Sequence, residues 1–160
     1  MTQTKSYDKA RLQYYFDRAW HGVVKQGRPA MIVGGRCTYF DSENGCRCAV
    51  GHMVTPAKAA LLEDQFGGMS LAQIISRESR KETWADILPR ELVKLATHGA
   101  AGDPLYSTAY ALSALQSIQS AHDMTASACR HDKTHDSFVA DYKMRMRRVA
   151  ERFGLKVPAD

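Results

Sequence analysis

The dipeptide Asn44-Gly45 narrows the choice of folds more than any other feature of this chain. It lies between Cys37-Thr38-Tyr39-Phe40 and Cys46-Arg47-Cys48, and its tolerance of positive φ suits the turn of a β-hairpin. With Met31-Ile32-Val33 upstream, this segment predicts one small hairpin, and no other stretch offers a second sheet. Nearly everywhere else the apolar residues recur at the spacing of a helix. The expected fold class is therefore α+β and mostly α-helical, one small β-hairpin packed against about five to six helices. The 160 residues are expected to form a single domain, 1–160, without a linker or a fixed-period repeat. A chain of this length buries roughly 70% of its unfolded surface, enough for a core without disulfides.

Leu12, Tyr15, Phe16, Ala19 and Val23 mark the buried stripe of a first helix, capped at Ser6 and stopped by Gly27. Ala49-Val50-Gly51-His52-Met53-Val54 predicts a short helical turn, and Thr55-Pro56 starts a helix that Gly67-Gly68 closes. Ser70 caps a helix carrying Leu71, Ile74 and Ile75, and Pro89 opens another through Leu92, Val93 and Leu95. Asp103-Pro104 starts the longest helix, with Leu105, Leu112, Leu115, Ile118 and His122 on one face, before a polar break over 125–134. Val139, Tyr142, Met146, Val149 and Phe153 define a last helix ending at Gly154.

The densest chemistry is three thiols and an imidazole, Cys37, Cys46, Cys48 and His52, within sixteen positions. Zinc takes four thiolate or imidazole ligands in a tetrahedron, and hairpins commonly supply the first pair. His52 follows Cys48 by one helical turn, and His122 points inward from the long helix. The expected metal set is Cys37, Cys48, His52 and His122, with Cys46 as the alternate; the cofactor is zinc or none. The spacing departs from ordinary zinc knuckles, because the second close ligand pair is missing. The competing reading makes Cys37 and Cys48 small hydrophobes inside the hairpin and His122 a satisfied core histidine. An enzyme would use Cys48, activated by the amides of a helix N-terminus, with His122 as its base. Asp123 diverges from His122 by about 100° along the helix and is poorly placed to orient that ring.

Lys and Arg number 22 against 17 Asp and Glu, a net charge of +5 that permits an acidic partner without demanding one. Arg145, Arg148 and Arg152 line one edge of the last helix, a basic face for phosphates or an acidic protein surface. Glu151 and Asp141 dilute it, and no outward aromatics interleave as a base-stacking platform requires. His-Asp pairs at His122-Asp123, His131-Asp132 and His135-Asp136, with His98 upstream, weakly resemble the helical metal-dependent phosphohydrolases named for that pair. The second and third pairs are expected in a polar loop rather than on separate helices. No apolar run approaches the roughly 18 residues of a membrane span. Met1-Thr2-Gln3-Thr4-Lys5-Ser6 lacks the apolar core of a secretory signal, so a cytoplasmic setting with reduced thiols is expected.

Gly35-Arg36-Cys37-Thr38-Tyr39, a turn, and Gly45-Cys46-Arg47-Cys48-Ala49-Val50-Gly51-His52-Met53-Val54 resemble the core of a family of small uncharacterised bacterial and phage proteins. That family reads Cys-x-Tyr, a Gly-containing turn, then Cys-Ala-Val/Ile-Gly-Cys/His-Leu-Ile. Leu115-Gln116-Ser117-Ile118, Ala121-His122-Asp123 and Phe153-Gly154-Leu155 approximate its later helix signature and its C-terminal end, with the His-Asp pair displaced. The resemblance implies a position 52 where Cys and His interchange, as a metal ligand permits, and a cytoplasmic, often phage-borne protein. It carries no catalytic residues. With no convincing catalytic set and only a modest basic face, the expected function is a non-enzymatic accessory protein, plausibly phage- or prophage-encoded. It would act by binding a host protein or complex. The alternatives are a cysteine- or metal-dependent small hydrolase or transferase using Cys48 and His122, and a small nucleic-acid binder using the C-terminal basic helix.

Overall fold

Leu12, Tyr15, Phe16, Ala19 and Val23 are all buried along α1 (Gln3–Gln26), and Trp20 joins them. The helix begins at Gln3, ahead of the expected cap at Ser6. It ends where Gly27 takes a φ of +75° and donates its amide to the Val23 carbonyl at 2.9 Å, a left-handed cap. The computed structural model describes residues 3–31, 35–78, 87–97, 108–129 and 135–160.

The hairpin consists of β1 (Phe40–Asp41) and β2 (Cys46–Arg47), antiparallel, with Phe40 opposite Arg47 and Asp41 opposite Cys46. Its turn spans residues 42–45, longer than a bare Asn-Gly loop, because the Asp41 carboxylate organises it. Asp41 Oδ1 accepts the Glu43 and Asn44 amides at 3.0 and 3.3 Å, and Gly45 closes the loop at a φ of +67°. Cys37 lies outside β1 and forms an isolated antiparallel bridge with Met31.

Next comes α2 (Ala49–His52), wedged so tightly that two glycines are required. A Cβ on Gly51 would lie 2.3 Å from the Tyr39 carbonyl oxygen, and one on Gly22 of α1 would lie 2.3 Å from the His52 ring. Thr55 caps α3 (Pro56–Phe66), its hydroxyl accepting the Lys58 amide. Ser70 and Gln73 form a reciprocal capping box on α4 (Leu71–Glu78): Ser70 Oγ accepts the Gln73 amide at 3.3 Å, and Gln73 Oε1 accepts the Ser70 amide at 2.8 Å. After α5 (Arg90–Thr97) come α6 (Thr108–Ala128) and α7 (His135–Phe153). The expected start at Asp103-Pro104, and His98 and His131, lie outside the described residues.

Contrary to the expected polar break, α6 continues through Thr125, whose hydroxyl is buried and donates to the Ala121 carbonyl at 2.6 Å. A threonine satisfied by its own helix need not end it. At the close of α7, Gly154 (φ +64°) donates to Glu151 and Leu155 donates to Ala150 at 2.8 Å, the paired bonds of a Schellman motif.

The described residues thus hold seven helices and one two-stranded sheet, the mostly helical α+β class. α7 packs along α6, and α1 lies against both. The Tyr142 hydroxyl donates to the Ala19 carbonyl at 3.0 Å, and buried side chains from every helix join one apolar core. No helix among the described residues is long and apolar enough to cross a membrane.

Candidate metal site

Residues 36–39, the turn at 68–70 and one face of α6 enclose a cleft of about 340 Å³. Gln119 on α6 holds its walls together. Its Oε1 accepts the Leu71 amide at 3.1 Å and its Nε2 donates to the Tyr39 hydroxyl at 3.3 Å, while that hydroxyl donates to the Met69 carbonyl at 2.6 Å. Burial pushes the Tyr39 phenol well above its usual pKa, so it stays protonated and keeps donating. Glu63 on α3 fixes the opposite wall, accepting the Tyr39 amide and pairing with Arg36, each at 2.9 Å.

Cys37 and Asp123 line this cleft, and with the buried His122 their sulfur, carboxylate oxygen and ring nitrogen lie within 4.8 Å of one another. Such a group can hold a metal ion. His122 is fully buried, and its Nε2 accepts the Ala30 amide proton at 3.3 Å. A nitrogen that accepts carries no hydrogen, so the ring proton sits on Nδ1, 3.0 Å from Asp123 Oδ1. The expectation that Asp123 cannot orient the ring is therefore corrected. Nδ1 is the ring nitrogen nearest the backbone, so the short carboxylate of the next residue reaches it although the two Cβ vectors diverge. Cys37 is half-buried, its sulfur 3.8 Å from the Asp123 backbone carbonyl.

The expected set of Cys37, Cys48, His52 and His122 is not assembled as such: Asp123 stands in the ligand group, and Cys48 and His52 stand outside it. Cys48 lines the same cleft but is 2% exposed and serves as the N-cap of α2, its sulfur accepting the Gly51 amide at 3.4 Å. Burial pushes its thiol up to about 12, outweighing the helix amides that favour the thiolate. Burial at the helix start thus works against the activation expected of Cys48 as a nucleophile, opposing the two amides that favour the thiolate. His52 faces Gln26. Gln26 Oε1 accepts the Arg47 amide at 2.8 Å and lies 3.0 Å from His52 Nε2, which makes Nε2 the protonated nitrogen. The alternate, Cys46, stands outside the group as well, its sulfur accepting from Arg28 Nε at 3.1 Å.

Neither does the basic edge of α7 present three free arginines in a row. Arg145 is partly buried, with Nη1 3.9 Å from Met124 Sδ on α6. Arg148 and Arg152 are exposed, the latter with its guanidinium carbon 5.3 Å from the Phe153 ring centroid. Asp160 takes the neighbouring cations Lys143 and Arg147. Sequence reasoning missed Asp123 as a member of the group that could hold a metal, and Ala30 as the partner of His122 Nε2. The first was signalled only by adjacency, and the second by nothing local. Comparison with protein-family models, curated proteins and solved structures gives no match for this chain.

Proposed function

We propose that the protein binds a thiophilic divalent cation of the zinc class through Cys37, His122 and Asp123, with the remaining coordination position open to the cleft. The supporting observation is the approach of a thiol, an imidazole and a carboxylate to within 4.8 Å at the wall of that cleft. A thiol among the ligands selects zinc-like ions over magnesium or calcium, which take oxygen. Three protein ligands leave the site open, unlike a closed structural centre.

Coordination at Nδ1 moves the ring proton to Nε2 and deprives the Ala30 amide of its acceptor. Leaving a buried amide unpaired costs about 1–3 kcal/mol. Structural zinc in zinc-finger peptides binds with about 10–16 kcal/mol, which is the scale against which this cost is set. Cobalt(II) titration of the full chain tests the reading: a sulfur-to-cobalt charge-transfer band should appear and disappear in Cys37→Ser. A band that survives in Cys37→Ser, or no uptake at all, would reject it.

A second reading, an accessory protein that binds another protein, is favoured by a separate groove on α1 lined by two tyrosines and two arginines.

A further inference from the structure

The groove, about 510 Å³, runs along α1 and is closed by residues 53–55 and by Pro89 and Glu91 at the start of α5. Tyr14 is 49% exposed at its mouth and stands edge-on to Tyr15, with ring centroids 5.2 Å apart. Arg18 holds its guanidinium carbon 5.8 Å from the Tyr14 centroid. Its Nε donates to the His52 carbonyl at 3.2 Å, which fixes the cation without neutralising it.

Tyr15 is the informative residue. It is 2% exposed, yet its hydroxyl makes no hydrogen bond among the described residues and is not sealed from solvent. Arg11, Glu91 and Arg18 are the charged groups that act on it. Tyr15 lines the groove with a phenol that has no protein acceptor among the described residues, and the Arg18 cation stands beside it, so the pair is matched to an incoming carboxylate. Tyrosine and arginine are also the residues that carry most of the affinity at protein interfaces.

We infer that this groove docks an acidic peptide segment of a partner protein, an assignment that rests on the protein-binding reading and is independent of the metal site. An Asp or Glu carboxylate of the segment accepts the Tyr15 O–H and pairs with Arg18. A neighbouring apolar side chain packs between Tyr14 and the wall formed by Val54 and Pro89. The interface is an electrostatic one laid on an aromatic floor, so its affinity falls with salt.

The test is fluorescence polarisation of the full chain with a fluorescein-labelled peptide in which Asp and Glu alternate with Leu and Phe, beside its Asn/Gln analogue. The acidic peptide should bind more tightly, weaken with added salt, and lose about tenfold in affinity in Tyr15→Phe and in Arg18→Gln. Circular dichroism of both variants should match the parent. Equal binding of the two peptides, with loss in Tyr14→Ala, would overturn the acidic partner while leaving protein docking in the groove. Binding by neither peptide would overturn both. Self-association in sedimentation that Tyr14→Ala abolishes would assign the groove to a second copy and overturn the inference.

Discussion

His52 shows what one residue costs when a fold is built around it. Its ring is 8% exposed, donates from Nε2 to Gln26, and lies against Gly22, where any larger side chain would collide with it. Burial, joined by the charges of Arg47 and Arg18, lowers its pKa from 6.5 to about 3. In the unfolded chain the ring takes up a proton near pH 6.5; in the folded protein it does not until about 3. Acidification over that window therefore favours unfolding, while above it the group contributes nothing to the pH dependence. The slope approaches about 1.4 kcal/mol per pH unit. Urea unfolding at pH 7.5, 5.5 and 4.5 should show stability falling with acid, and falling less in His52→Gln. The spacing Cys48-x3-His52 suggested a ligand, but spacing places a side chain on a helix face without saying what faces it.

At the scale of elements, most caps were legible, the expected one at Ser6 excepted, because each depends on residues within one turn. Thr55-Pro56, Ser70, Gly27 and Gly154 all act as their sequence context implies. The Ser70 and Gln73 box also has work beyond its helix, because Ser70 and the preceding turn form one wall of the cleft. Ser70→Ala should cost about 1 kcal/mol, read as a lower urea midpoint. The α4 amides should exchange faster with solvent, whereas those of α7 should be unaffected. Less legible was the length of α6, since the polarity of Thr125 gives no sign that the Ala121 carbonyl will satisfy it. The hairpin was placed correctly in the chain, yet the pairing covers only Phe40 with Arg47 and Asp41 with Cys46, and Cys37 bridges Met31 instead.

Across the whole molecule, the contact that most defines the candidate site joins residues 92 positions apart, the Ala30 amide and His122 Nε2. It anchors α6 to the segment that leads into Cys37, and it selects which nitrogen of His122 faces Asp123. His122→Leu keeps the bulk but orphans the buried amide, and should cost about 1–3 kcal/mol in urea unfolding. Nitrogen NMR of the parent should show the proton on Nδ1, and the Ala30 amide should exchange quickly only in the variant. The sequence by itself determined the helical class, the position of the one hairpin, most element ends and the buried stripes, since all of these follow from periodicity and from capping within a few residues. Only the tertiary structure decided that Asp123 joins Cys37 and His122, that His52 turns to Gln26, and that the Cys48 thiol is buried at the start of α2. Those outcomes depend on where distant segments meet and on how much water is excluded there, and neither quantity is carried by local pattern.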